Sequence, residues 1–164
     1  ETPLQDEKIE QTVSRLARQK AEINANAFQD AIIIGSDQLI QLGPNILGKP
    51  GNHDNAVAQL QACSNKVLTS HTGLCVINTK TGLVQTDVIP YQVKFKPLTT
   101  TLIEQYLQAD QPYFCAGSIK AESMGSCLFE WLRGDDPTAL TGLPLIRLNE
   151  MLIHAGFTIL ANQM

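Results

Sequence analysis

Two long β-type runs separated by a short loop constrain this chain more than anything else in it. Residues 66–77, KVLTSHTGLCVI, and 83–95, LVQTDVIPYQVKF, are rich in β-branched and aromatic residues. Between them lies NTKTG, whose glycine suits a hairpin. An antiparallel pair of this length needs a sheet around it and apolar elements to cover it. Pro90 is expected to interrupt the second run or to place it at an edge, because proline donates no ladder hydrogen bond.

The covering elements are helical. Residues 4–27 carry Ile9, Val13, Leu16, Ile23 and Ala27 on one stripe close to a 3.6-residue period. A short helix follows Asn52 or Asp54 as cap, with Ala56, Leu60 and Cys63 on one face. A third helix runs through LTTTLIEQYLQAD behind a threonine cap, and a last one through LPLIRLNEMLIHAG, with Pro144 near its start and Gly156 as its stop. Residues 31–36 read as a short apolar strand, GPN at 43–45 as a turn, and CLFEWLRG as a strand. Interleaved helices and strands with one antiparallel pair predict a single α/β domain, a mixed sheet with helices on its faces.

Bulk properties exclude several classes. A net charge of −4 argues against a nucleic acid polymer as partner. No apolar run approaches a membrane span. Four scattered cysteines and three scattered histidines make no zinc pattern, which leaves free thiols in a reducing cytoplasm.

The residues that can carry chemistry are few. In AIIIGSDQLI, Asp37 ends the apolar run. Strand ends are where open α/β sheets place ligands, so Asp37 can bind Mg²⁺ or act as a base toward water. It can equally be a turn residue that bonds its own backbone. Lys20 falls on the apolar stripe of the first helix between Leu16 and Ile23. It either snorkels to water or reaches an anion. Lys49, in GKP, sits where a rigid loop can aim a point charge at a phosphate, or is a solvated surface lysine. In AGSIKAES, Glu122 can accept two hydrogens from a planar base, while Ser118 and Lys120 are candidates for phosphate or loop contacts; an ordinary surface loop is the plain alternative. Asp135 and Asp136 can bind metal, though Asp-Pro turns are mostly structural. His71 reads as a strand residue and Trp131 as packing. There is no G-x-x-x-x-G-K-[ST] and no G-x-G-x-x-G.

Taken in order, RLARQKA (15–21), IIGSDQ (33–38), GKP (48–50), HTG (71–73), CAGSIKAESMG (115–125) and GDDPTALTGLPLIRL (134–148) resemble the Maf family of nucleotide pyrophosphatases over almost the whole chain. The resemblance implies a cytosolic, often dimeric α/β enzyme of inosine triphosphate pyrophosphatase-like architecture. Such an enzyme uses Mg²⁺ or Mn²⁺ to convert a nucleoside triphosphate to the monophosphate and pyrophosphate. It implies Asp37 as proton acceptor, Lys20 and Lys49 as the two active-site lysines, and Glu1 as a metal ligand beside Asp37. Gln38 and Glu122 match the branch that prefers 7-methyl-GTP. Guanine presents N1–H and N2–H₂ side by side, which one carboxylate can accept, and N7 methylation adds a positive charge that a carboxylate favours. The A-E-S around Glu122 departs from the branch's more usual S-E-G.

The family opens with a strand and an S-x-S-P-x-R-R phosphate loop that ETPLQDEKIE does not contain. The expectation is therefore an N-terminally truncated domain over 1–164 without the first strand and phosphate loop, and with an exposed sheet edge. A non-catalytic nucleotide-binding or regulatory module is the competing expectation.

Overall fold

The computed structural model describes residues 4–160. In chain order the elements are α1 (Ile9–Ala25), β1 (Ile32–Leu42), β2 (Asn45–Leu47), α2 (His53–Cys63), β3 (Val67–Asn78), β4 (Leu83–Phe95), α3 (Thr100–Asp110), β5 (Phe129–Arg133) and α4 (Leu145–His154). Short 3₁₀ turns lie at Ala116–Ser118, Met124–Leu128 and Pro137–Thr141. The strands form one five-stranded sheet in the order β2-β1-β3-β4-β5. Both outer pairs are antiparallel: Ile40 faces Leu47 in the β1–β2 hairpin, and Gln92 faces Arg133 between β4 and β5.

The hairpin of β3 and β4 forms as the sequence predicts, and its residue range matches closely. Pro90 does not interrupt β4. It lies two residues before the first β5 pair at Gln92, so on that side no ladder bond is asked of its missing N–H. α1 begins at Ile9, the first residue of its apolar stripe, and not at residue 4 as the predicted range has it. The Glu7 carboxylate accepts from Leu4 N, Thr12 Oγ1 and Arg15, and so closes a turn ahead of the helix. β1 runs on through Leu42 instead of stopping at Ser36, because each polar residue of Ser36-Asp37-Gln38 finds a partner without leaving the strand.

The chain divides into two compact units, each assembled from separated segments. The first holds residues up to Gln38, His71–Ile89, and Asp136 onward. Its core includes Val13, Ala17, Ala21, Cys75 and Ile77, all buried. α1 lies directly on strand backbone there: a Cβ at Gly35 would fall 2.3 Å from the Ala17 carbonyl oxygen, and one at Gly73 would fall 2.3 Å from that of Val13. Only glycine permits so close an approach. α4 buries Leu148, Met151 and Leu152, and Gln85 and Asn78 donate to the carbonyls of Met151 and Ala155.

The second unit holds Leu39–Ser70 and Pro90–Asp135. α2 packs on α3 through an apolar layer of Ala56, Leu60 and Cys63 with Ile103, Tyr106 and Leu107. Asn52 caps α2 by accepting from Asn55 N, and Thr99 caps α3 by accepting from Leu102 N. Phe95 and Phe129 meet edge to face at 5.3 Å. All four cysteines are free thiols, and burial pushes that of Cys63 up to about 12. No helix among the described residues is long and apolar enough to cross a membrane.

Candidate active site

The first unit brings two of the anticipated residues together. Side chains alternate across a strand, so Gly35 and Asp37 share one face of β1. α1 is seated on that face by the absent Cβ of Gly35, which places Lys20 over Asp37. The ammonium donates to Asp37 Oδ1. The Asp37 side chain is only 8% exposed, against 42% for Lys20. A buried carboxylate needs a cationic partner, and Lys20 supplies it. The reading of Asp37 as a turn residue is thereby corrected: it stands inside β1 and bonds across to a helix. Lys20 reaches an anion rather than only snorkelling.

The opposite face of β1 carries Ser36 and Gln38, and both hold the segment before α4. The Ser36 hydroxyl lies 2.9 Å from the Gly73 carbonyl and 2.7 Å from that of Gly142, with one hydrogen to give. Gln38 Nε2, with two hydrogens to give, lies 2.8 Å from the Ala139 carbonyl oxygen, 3.1 Å from Thr72 Oγ1 and 3.2 Å from the Leu140 carbonyl oxygen. Thr72, fully buried, gives its own hydrogen to the Ala139 carbonyl at 2.8 Å.

Asp136 organises the start of α4. Its carboxylate accepts from the backbone N–H of Thr138, Ile146 and Arg147 and from the Thr138 hydroxyl, and Thr138 Oγ1 accepts from Leu145 N. Burial works to raise its carboxyl, but these hydrogen bonds outweigh burial and hold it below the usual carboxylate range. Asp136 thus serves as a structural cap, in keeping with the Asp-Pro turn reading.

The second unit presents Lys49 and Glu122. The Lys49 loop is braced on both sides: Gly48 O accepts from Gln59 Nε2 at 3.0 Å and Gly117 N at 3.2 Å. Pro50 O accepts from Asn55 Nδ2, and Gly51 N donates to Tyr113 O at 2.9 Å. Ser118 is buried, and its hydroxyl donates to Gln59 Oε1 at 2.6 Å, which orients the amide that holds Gly48. Ser118 thus braces the loop that carries Lys49. Lys49 and Glu122 are both exposed, and neither makes a hydrogen bond or ion pair among the described residues. Lys120 differs: its ammonium donates to the Asp110 carbonyl at 2.5 Å, at the C-terminal end of α3, where the helix dipole favours a cation. The backbone of Lys120 also donates to the Tyr106 hydroxyl at 3.0 Å. Asp110 in turn holds Ser123 Oγ and Met124 N. Lys120 therefore shapes the Glu122 loop in this structure.

Glu1, the anticipated metal ligand, lies outside the described residues. Among those described, no group of three or more histidine, cysteine, aspartate or glutamate residues is placed to hold a metal. Asp37 offers one hard oxygen beside the one that Lys20 engages, a donor suited to a cation that takes most of its ligands from phosphates and water.

His71 lies within β3, where desolvation holds its imidazole below its ordinary value against the opposing pull of Glu10. Trp131 is half-buried and carries the Arg133 guanidinium 4.3 Å above its ring. Gln59 was not singled out by the sequence, nor was Thr72 beyond its place in HTG. Asp136 was, and its structural reading holds: Asp136-x-Thr138 ahead of a helical run is an Asx-type cap.

Comparison with known proteins adds the wider context. The family model described as "Maf-like protein" matches residues 1–155. A protein of Nitrosococcus oceani is 49% identical over 160 residues, covering 98% of this chain and 80% of that protein. One of Thiobacillus denitrificans is 47% identical over the same shares of each chain. One of Pseudoalteromonas translucida is 45% identical over 163 residues, 99% of this chain and 81% of its own. Each of the three carries the name 7-methyl-GTP pyrophosphatase.

Proposed function

The chain belongs to the Maf-like protein family, and from that premise we propose that it is a nucleotide pyrophosphatase acting on 7-methyl-GTP or a related modified nucleotide. The products are the monophosphate and pyrophosphate. The observation that carries this reading is the Lys20–Asp37 pair: a nearly buried carboxylate in mid-strand with an ammonium fixed above it. The names of the relatives support the substrate.

In this mechanism Asp37 accepts a proton from water. The water oxygen bonds to the α-phosphorus, the bond from that phosphorus to the bridging oxygen breaks, and pyrophosphate leaves with the electron pair. Lys20 and Lys49 stabilise charge on the phosphates as it develops. Glu122, exposed and without an ion pair among the described residues, accepts from N1–H and N2–H₂ of guanine, and Gln38 supports base choice. A divalent cation, Mg²⁺ or Mn²⁺, belongs to the proposal, held by Asp37 and Glu1 with the phosphates; when bound it offsets phosphate charge. A cytoplasmic setting and a homodimer belong to the same reading.

The test is pyrophosphate release by this chain with Mg²⁺ across 7-methyl-GTP, GTP, dTTP and UTP, with Asp37→Asn as control. Preferential release from 7-methyl-GTP, lost in Asp37→Asn with the melting transition retained, supports the proposal. Binding of 7-methyl-GTP without release makes the chain a nucleotide-binding module instead.

A further inference from the structure

The orientation of a glutamine amide decides whether it offers a ligand a donor or an acceptor. For Gln38 the surroundings leave no choice. Two of its neighbours are backbone carbonyl oxygens, of Ala139 and Leu140, which only accept. The third, Thr72 Oγ1, has already given its hydrogen to the Ala139 carbonyl, so toward Gln38 it accepts as well. A flipped amide would set its oxygen against three acceptors. The nitrogen therefore faces inward, and Gln38 Oε1 has no hydrogen bond among the described residues. Thr72 is the side chain in this arrangement that has no route to solvent.

We propose that Thr72 is a positioning residue that locks the Gln38 amide, so that Gln38 presents a ligand with a carbonyl oxygen alone and favours a base edge with adjacent N–H donors, such as guanine's, over one whose single N–H is flanked by acceptors, such as thymine's. The ligand rests on the nucleotide reading above; the orientation of the amide does not. The same polarity follows for both residues assigned to base choice, since a carboxylate at Glu122 also only accepts.

Two measurements test the proposal. The first needs no ligand: side-chain NH₂ exchange with water, read by ¹⁵N NMR, for Gln38 against the exposed Gln105. Exchange slower by about tenfold or more at Gln38 is expected for a hydrogen-bonded, half-buried amide. Equal rates overturn the proposal whether or not any variant folds. The second is the ratio of kcat/KM for 7-methyl-GTP over dTTP in Thr72→Val and Thr72→Ser, each checked by melting. Thr72→Val should lower the ratio about three- to tenfold, the scale of one hydrogen bond, and speed Gln38 exchange, while Thr72→Ser keeps both near wild type. Loss of overall rate with an unchanged ratio and unchanged exchange assigns Thr72 a purely structural part and overturns the positioning role. If wild type hydrolyses no nucleotide, the functional reading fails, and the exchange measurement still decides the orientation.

Discussion

The two compact units treat their charged groups in opposite ways. In the first, Lys20 and Asp37 are already joined, and Asp37 is nearly withdrawn from water. In the second, Lys49 and Glu122 stand in solvent without a partner among the described residues, while the groups behind them are tightly bonded. A carboxylate in a strand interior is tolerable only with its cation in place, so its chemistry and its folding are one problem. A charge at a loop tip keeps its hydration until a ligand replaces it, so it can serve binding at little cost to stability. Substitutions in the first unit should therefore disturb fold and activity together, and those in the second should separate the two.

The largest effect is expected where α1 rests on the sheet. Gly35→Ala drives a Cβ to 2.3 Å from the Ala17 carbonyl, so the helix must lift. A loss of about 2–3 kcal/mol in urea unfolding is expected, with activity falling as Lys20 leaves Asp37. Unchanged stability would break the link between helix seating and site. Next, Lys20→Met strands the Asp37 carboxylate with no cation. Destabilisation of about 1–3 kcal/mol, partly relieved in the double variant Lys20→Met with Asp37→Asn, sharpens the claim that the pair is structural as well as chemical. Simple additivity of the two would refute it.

Smaller effects are expected in the second unit. Glu122→Gln and Lys49→Ala should leave unfolding within about 0.5 kcal/mol of wild type, as surface changes do. Glu122→Gln should nevertheless lower the preference for 7-methyl-GTP over dTTP by about tenfold. A clear stability loss in either variant would end the contrast between the units. The smallest effect concerns acid. Hydrogen bonds hold the Asp136 carboxyl below its ordinary value, so the stability it contributes is fully present above the unfolded value of about 4 and is lost as pH falls through the lower folded one. Urea midpoints between pH 6 and pH 2.5 should show that loss in wild type and a flatter profile in Asp136→Asn.

Much of this was legible beforehand, and the failures share a cause. The β3–β4 hairpin and the stop at Gly156 follow from local chemistry, as does a threonine cap ahead of α3, which falls on Thr99; of the two caps open for α2, Asn52 is the one used. Asp37 was placed at a strand end because Gly-Ser-Asp-Gln has the composition of a turn. The strand continues because Lys20, Gly142 and Ala139, all distant in sequence, satisfy those polar groups. Lys20 on an apolar stripe did announce an anion, but not which one. Gln59 gave no signal, and Thr72 none beyond its place in HTG, since a threonine in a strand and a glutamine on a helix are ordinary until the backbone carbonyls beside them are known.

The seating of α1 on Gly35 and Gly73 has a bearing on how this protein can change over generations. Where helices rest on large side chains, each core replacement alters the gap beneath them and with it whatever they carry. Here the gap is main chain against main chain at two points along α1. Leu, Ile and Val can be exchanged elsewhere in the interior, and the helix still lands at the same height. The spacing of Lys20 and Asp37 is thereby insulated from drift in the core, at the cost of two positions where no other residue will do.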